Sequence, residues 1–122
     1  KLRYLDDDNA KRIGIAEKYN AALSALDLIL PPTGGVYHQY VIRHPKREAL
    51  KQLLEDGGIG TSILYPVPVR LQPAYADTPP RQLPVTEQFA RELLCLPMYP
   101  ELTAEEVERV SEAVRVATGK LA

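Results

Sequence analysis

Apolar side chains recur with a helical period in four stretches of the chain. The predicted helices cover residues 6–26, residues 46–56, residues 84–93 and the residues between Thr103 and Gly119. In the first stretch, Ile15, Tyr19 and Ala22 are separated by four and three residues, so they share one face of an amphipathic helix. The start of this helix is predicted at Asp6, with Arg3 as the alternative.

The last predicted helix has the clearest boundaries. Thr103 and Glu106 have the spacing of a capping box, in which each side chain caps the backbone N–H of the other residue. Leu102 can pack against Val107 as a hydrophobic staple, and Gly119 supplies the expected C-terminal stop. Local sequence thus predicts both ends of this helix.

Three shorter runs are typical of β-strands. They are rich in β-branched, aromatic and other apolar side chains, and they cover residues 36–43, 59–65 and 94–98. Along the chain the order is helix, strand, helix, strand, loop, helix, strand, helix. This order predicts the α/β fold class, as a small α/β sandwich with helices packed on a sheet of about three strands.

The segment Thr61–Tyr75 differs from an ordinary linker because it contains Pro66, Pro68 and Pro73. Each proline fixes φ at about −65° and lacks a backbone donor. We expect the three prolines to hold the chain extended and to point the side chains between them in fixed directions. The segment is therefore predicted to present side chains at the edge of a site.

Two kinds of side chain in and near this segment suit ligand binding. Arg70 lies inside it and Arg43 ends the first predicted strand, and a guanidinium can bind a carboxylate or a phosphate at two points. An exposed charge or a salt bridge at a subunit interface is the alternative role for Arg70. Tyr65 and Tyr75 have apolar rings and hydroxyl tips that suit a polyhydroxylated ligand, although packing across the loop would use them equally well.

Charge and composition narrow the function classes. The 122 residues include 15 basic and 16 acidic side chains, for a formal net charge of −1, which does not favour binding to nucleic acid or to a membrane surface. No apolar run reaches the roughly 18–20 residues of a membrane-spanning helix. One cysteine cannot form an internal disulfide, and together with two histidines it cannot complete a typical zinc site. We therefore expect no metal site and a reducing, cytoplasmic location.

Nucleophilic and acid–base groups are few. A Cys95–His38 pair is formally possible, but Cys95 lies in the apolar run LLCLP, where we expect a buried and inert thiol. We expect His38 to be a packed strand residue rather than a catalytic one, and His44 to be a solvated turn residue. The six lysines fall on polar helix faces or near the termini, so none is predicted to form a Schiff base.

Four ordered motifs cover nearly the whole chain. They are VYHQYVIR, GIGTSILYPVPVRLQPAY, LPVTEQFARELLCLPMYPELT and the final helix. The most specific feature is LPMYPELT following the proline-rich segment. In this order and spacing the motifs resemble the C-terminal small domain of the DegT/DnrJ/StrS family of sugar aminotransferases.

The resemblance implies a fold-type-I enzyme that depends on pyridoxal 5′-phosphate. Members of the family transfer an amino group from glutamate to a keto sugar carried on a nucleotide, and two subunits of a homodimer form each active site. The cofactor and its Schiff-base lysine belong mainly to a large N-terminal domain, which would precede Lys1. Residues 1–122 are then a single C-terminal small domain with no catalytic and no cofactor-binding residue, and we expect them to be inactive alone.

The substrate-side residues carry over position by position. Many members end the strand before the proline-rich loop in His-Tyr-Pro, and the matching residues here are Leu64, Tyr65 and Pro66. Many also have a histidine further along the loop, where this chain has Arg70. The resemblance thus implies that Tyr65 binds substrate, that Leu64 lines the site but cannot transfer a proton, and that Arg70 is a replacement contact. His38 matches the family's first strand motif and completes the predicted substrate-binding set.

Two other functions stay open from the sequence. One is a sugar dehydratase of the same family that depends on pyridoxamine phosphate and has a histidine in place of the Schiff-base lysine. The other is a non-catalytic regulatory or interaction module, which the missing histidine at Leu64 favours. The identity of the residue that faces the cofactor, histidine or lysine, would distinguish the dehydratase from an aminotransferase.

Overall fold

The computed structural model describes residues 1–79 and 81–122, and within them it contains four α-helices and two β-strands. The helices are α1 (Leu5–Leu23), α2 (Arg47–Asp56), α3 (Pro84–Glu92) and α4 (Ala104–Leu121). The strands are β1 (Tyr40–Arg43) and β2 (Leu93–Leu96), and short 3₁₀ turns cover Leu2–Tyr4, Val69–Leu71 and Pro73–Tyr75. The predicted α/β class is confirmed.

All four predicted helices are present, with ends that differ from the prediction by a few residues. α1 begins at Leu5 and ends at Leu23 instead of Leu26. α4 continues through Gly119 to Leu121, so the predicted stop is wrong. Gly119 does not adopt the positive φ that a terminating glycine needs. None of the helices in the described ranges combines the length and apolar character required to cross a lipid bilayer.

The predicted N-terminal cap of α4 is confirmed. The backbone N–H of Glu106 donates to Thr103 Oγ1 over 3.2 Å, and the N–H of Thr103 donates to Glu106 Oε2 over 2.8 Å. Leu102 and Val107 are both buried, as a hydrophobic staple requires. The helix is therefore fixed at its start by both polar and apolar contacts.

β1 and β2 form a two-stranded antiparallel sheet. Tyr40 pairs with Leu96 at one end and Arg43 pairs with Leu93 at the other. β1 is shorter than the predicted 36–43, because Tyr37 has a φ of 52° and interrupts the extended backbone. β2 is shifted by one or two residues from the predicted 94–98.

The predicted strand at 59–65 does not form a strand, so the expectation of about three strands is corrected to two. Of this run, only Ser62 pairs with the sheet, in an isolated antiparallel bridge to Cys95 with backbone hydrogen bonds of 3.2 and 2.8 Å. Tyr65 then adopts a φ of 48° and Pro66 follows it. The extended conformation therefore ends soon after the bridge, and the chain leaves the sheet as a loop.

The core lies between the helices and the sheet, with α1 and α2 both packed on α4. The rings of Tyr19 and Tyr40 are buried with centroids 4.8 Å apart. The hydroxyl of Tyr40 donates to Asn20 Oδ1 over 2.7 Å, and the hydroxyl of Tyr19 donates to the carbonyl of Pro97 over 2.9 Å. Burial raises the pKa of both phenols. These two tyrosines join α1 to the sheet as neutral, hydrogen-bonded core residues.

Candidate functional site

Tyr65 is strained and exposed at the start of the proline-rich loop, which we define as residues 64–79. Its φ is 48°, and it is 85% exposed. Positive φ is uncommon for a bulky residue, and a residue that precedes proline normally adopts an extended conformation. Backbone strain of this kind costs on the order of 1–3 kcal/mol and clusters at functional sites. The geometry therefore supports Tyr65 as a residue presented for contact, with a half-buried Leu64 beside it.

The proline-rich loop is not extended throughout, which corrects the sequence-based expectation. It folds into two consecutive 3₁₀ turns, Val69–Leu71 and Pro73–Tyr75. The N–H of Leu71 donates to the carbonyl of Pro68 over 2.8 Å, and the N–H of Tyr75 donates to that of Gln72 over 2.9 Å. The extended joint at Gln72, with φ of −74° and ψ of 146°, separates the turns.

Arg70 does not project freely from this loop. Its Nη2 forms an ion pair with Oε1 of Glu87 on α3, and the two side chains are 25% and 26% exposed. The hydrogen bond from Arg70 holds the pKa of Glu87 below its usual value. The alternative role expected from sequence was an exposed charge or a salt bridge at a subunit interface, whereas the salt bridge observed here lies within the chain.

Arg70 also lines a cavity of about 560 Å³ between the proline-rich loop and the residues before α3. Tyr75, Arg81 and Leu83 are among the other lining residues. The wall is mostly apolar with a few polar groups, which is the general character of a small-molecule site. A guanidinium and a phenol hydroxyl in this setting can bind an anionic or hydroxylated ligand.

His38 lines a different cavity, of about 490 Å³, at the edge of the sheet. This cavity is formed by residues 38–39, 60–62 and 95–98. Tyr65 and Leu64 line neither cavity. Within this chain the four predicted substrate-binding residues are therefore not brought together at one site.

The structure tests the settings expected for Cys95 and His38. Cys95 is 5% exposed, and burial raises the pKa of its thiol against an opposing hydrogen bond with Ser62. The predicted buried and inert thiol is confirmed. His38 is exposed in a bend before β1, so the prediction that it is packed in a strand is wrong.

His44 is buried, so its predicted role as a solvated turn residue is also wrong. It is 4% exposed. Its ring Nδ1 accepts a hydrogen bond of 3.0 Å from the backbone N–H of Lys46, and its backbone N–H donates to the carbonyl of Glu92 over 3.1 Å. The ring thus supports the turn between β1 and α2.

Arg43 is the other candidate, and its guanidinium contacts side chains of α3. Its Nε and Nη2 donate to Glu92 Oε2 over 3.1 and 2.9 Å, and its Cζ lies 3.9 Å from the centroid of the Phe89 ring. An ion pair and a cation–π contact on one guanidinium hold it against the helix. Arg43 is therefore a structural contact of α3 rather than a ligand contact.

Two further residues that make contacts between distant elements are absent from the sequence-based set. Glu87 binds Arg70 across 17 positions of sequence. Arg47 donates from Nη1 to the carbonyls of Ala90 and Leu93, each over 3.0 Å. The helical pattern places Glu87 on α3, but no local signal connects it to Arg70, and none marks Arg47 as a buried residue.

The lysines of this chain lie at its surface. All are exposed except Lys51, which is half-buried and pairs with Glu55, and Lys46 Nζ donates to the carbonyl of Leu121 over 3.0 Å. A Schiff-base lysine needs a desolvated setting that lowers the pKa of its amine. The predicted surface role of the lysines is confirmed.

Helices packed on a small antiparallel sheet place the chain with part of the fold-type-I aminotransferases, on two of which it superposes with TM-scores of 0.89 and 0.87. Within that class, the chain belongs to the DegT/DnrJ/EryC1/StrS aminotransferase family, whose model matches residues 1–115. The resemblance stated from the motifs is thereby confirmed.

Similar proteins include two curated relatives and a solved structure. The chain is 42% identical over 117 residues to the erythromycin biosynthesis sensory transduction protein of Saccharopolyspora erythraea, covering 90% of the chain and 32% of the relative. It is 40% identical over 118 residues to the dTDP-3-amino-3,6-dideoxy-alpha-D-galactopyranose transaminase of Aneurinibacillus thermoaerophilus, covering 93% and 32%. It superposes with a TM-score of 0.89 and 39% identity on S. venezuelae DesV in complex with a ketimine intermediate, covering 94% and 33%. The chain thus spans about a third of the length of these relatives.

Proposed function

We propose that residues 1–122 form the C-terminal small domain of an enzyme that transfers an amino group to a keto sugar carried on a nucleotide. The match to the aminotransferase family over residues 1–115 is the observation that carries this proposal. Relatives named as transaminases of dTDP-linked amino sugars support the substrate class. From the family we also expect that glutamate donates the amino group, that the protein is a homodimer and that it is located in the cytoplasm.

Pyridoxal phosphate is the proposed cofactor, and it supplies the electron sink of amino transfer. Because no lysine here has a suitable setting, we assign the covalent site to protein outside residues 1–122. The role of this chain is then to orient the sugar substrate and to exclude water from one side of the site.

Within this role, Tyr65 and Arg70 are the proposed substrate contacts. Tyr65 offers an exposed ring and hydroxyl on a strained backbone, and Arg70 adds a permanent cation that favours an acidic sugar or a diphosphate oxygen. Leu64 has no group that can move a proton. No proton transfer is therefore assigned to position 64.

The test is an amino-transfer assay on the full-length protein that contains this chain. A nucleotide-linked amino sugar and 2-oxoglutarate are supplied, and glutamate formation is followed in the reverse direction. The proposal expects turnover that depends on the nucleotide portion of the sugar. Equal turnover with the free sugar, or none with any nucleotide sugar, would contradict it.

A regulatory or binding role is the second candidate, because one of the relatives carries the name of a sensory transduction protein and Leu64 stands where a histidine is common in the family. This candidate predicts that the full-length protein binds a nucleotide sugar without transferring an amino group. Calorimetric binding measured beside the assay separates the two functions. The dehydratase alternative is separated by its product, which lacks a hydroxyl and gains no amino group.

A further inference from the structure

Helix α3 is held to the rest of the structure by polar contacts rather than by burial. We call this rest, which consists of α1, α2, α4 and the two-stranded sheet, the body. None of its side chains is buried, and its apolar residues Val85 and Phe89 are 64% and 36% exposed. A helix of nine residues without a buried face has little stability of its own. Specific contacts with the body must therefore fix its position.

Two arginines of the body supply these contacts. Arg47, with a side chain only 9% exposed, donates to the carbonyls of Ala90 and Leu93 at the C-terminal end of α3. Arg43 binds Glu92 and covers the ring of Phe89 at 3.9 Å. Cations at the C-terminal end of a helix also complement its dipole. The last turn of α3 is thus fixed to β1 and to the start of α2.

The N-terminal half of α3 contacts the proline-rich loop through Glu87. No residue of 64–79 is buried, and its backbone hydrogen bonds are local ones between residues three positions apart in the loop. Among the described residues, the pair between Arg70 and Glu87 is the one hydrogen bond that joins this loop to another element. We therefore expect the conformation of the loop to depend on the ion pair with Glu87.

We propose that Glu87 is a positioning residue, which fixes the guanidinium of Arg70 and with it the loop that carries Tyr65. This inference rests on the proposed function in making residues 64–79 the substrate side. A guanidinium has five N–H donors in a rigid fork. Glu87 engages Nη2, and Arg70 is also part of the wall of the 560 Å³ cavity, so the ion pair restricts the freedom of its other donors. A fixed guanidinium binds a carboxylate or phosphate without first losing side-chain freedom.

The first test compares Glu87→Gln with Glu112→Gln in the full-length protein. Glu112 forms an exposed ion pair with Arg115 on α4, so it is a matched control for the loss of one carboxylate. Amide hydrogen exchange is measured in residues 64–79 by mass spectrometry. Glu87→Gln should accelerate exchange there by about two- to fivefold, the range that a partly exposed ion pair supports. Glu112→Gln should leave that region unchanged.

A kinetic measurement on the same variants shows whether the fixed loop serves substrate binding. Glu87→Gln should raise KM for the nucleotide sugar by a similar factor and leave kcat within about twofold. The control variant should change neither constant. Accelerated exchange with an unchanged KM would overturn the positioning role.

A charge exchange separates the two roles of Arg70. The double variant Arg70→Glu with Glu87→Arg keeps an ion pair between loop and helix while removing the cation from the loop. It should restore the slow exchange of residues 64–79 without restoring KM. Exchange as fast as in Glu87→Gln, or a KM equal to that of the wild type, would overturn the proposal.

Failure of the inference and failure of the proposed function have different signatures. If the wild-type protein transfers no amino group, the proposed function fails, and the exchange experiment still decides whether Glu87 holds the loop. If the wild type is active and the exchange of residues 64–79 is the same in Glu87→Gln as in the wild type, the inference fails alone.

Discussion

The helical body and the proline-rich loop with α3 are stabilised in different ways. In the body, α1, α2 and α4 bury side chains completely, among them Leu23, Leu50 and Val114. In the loop and α3 no described side chain is buried, and Val69 and Leu71 remain 62% and 52% exposed. Apolar burial therefore fixes the body, whereas a few ion pairs and hydrogen bonds fix the region that presents side chains.

This contrast separates residues that matter for folding from residues that matter for a site. A core held by many apolar contacts loses stability gradually with each deletion. A loop held by single polar contacts changes its conformation when one partner is removed, while the fold persists. Substitutions in the two regions should therefore have separable effects.

The largest expected effect comes from the core. Leu94→Ala removes a side chain that is fully buried on β2, and it should lower the free energy of unfolding by about 2–5 kcal/mol. Leu71→Ala, in the exposed part of the loop, is the matched deletion and should change it by about 0.5 kcal/mol or less. Urea denaturation measures both. Equal losses would show that the loop is packed like the core.

The next effect comes from the buried arginine that holds α3. Arg47→Met keeps most of the aliphatic volume but leaves the carbonyls of Ala90 and Leu93 without their donor. It should cost about 1–3 kcal/mol of unfolding free energy and accelerate amide exchange in α3. Arg109→Met, on the exposed face of α4, is the control. If Arg47→Met accelerated amide exchange in α4 alone and not in α3, the assigned contact would be contradicted.

A smaller effect of opposite sign is expected at Tyr65. Tyr65→Gly relieves the positive φ of 48°, and it should raise the free energy of unfolding by about 0.5–1 kcal/mol after the added flexibility of glycine is deducted. Tyr75→Gly, at a residue without positive φ, should lower it. Thermal denaturation compares the two variants. Destabilisation by Tyr65→Gly would mean that the tyrosine is not strained.

The smallest effect is the response of the loop to acid. The pKa of Glu87 is depressed below its ordinary value of 4.5, first by the hydrogen bond from Arg70. Because the folded-state pKa is lowered, the ion pair is fully present above pH 4.5 and is lost as the pH falls through the lowered value. Carbon-13 NMR of the Glu87 carboxyl should show titration below 4.5, moving up toward 4.5 in Arg70→Ala. An identical titration in wild type and variant would contradict the pair.

Local sequence signals predicted the elements whose cause is local. The spacing of Ile15 and Tyr19 predicted α1, and the capping box of Thr103 and Glu106 predicted the start of α4, because these contacts join residues three or four positions apart. The end of α4 was missed because Gly119, a frequent stop residue, keeps the helical conformation here.

Features that depend on distant residues were not predictable in the same way. The run 59–65 has strand-like composition, but one bridge to Cys95 and the left-handed backbone of Tyr65 end the pairing. His44 is buried, and its backbone N–H donates to the carbonyl of Glu92 at the end of α3. The partner of Arg70, on α3, could not be found by any helical or strand period. The candidate site was therefore predicted by residue type and by family resemblance, and its internal contacts were not.

The most direct test of the account is the effect of Arg70→Ala on the steady-state kinetics of the full-length protein. Arg81→Ala, from the wall of the same cavity, serves as the comparison. If the loop is the substrate-binding wall of a nucleotide-sugar aminotransferase, Arg70→Ala should raise KM for the nucleotide sugar several-fold and lower kcat by less, and it should do so more than Arg81→Ala. Unchanged kinetics toward the nucleotide sugar, or a fall in kcat with KM unaltered, would contradict the account.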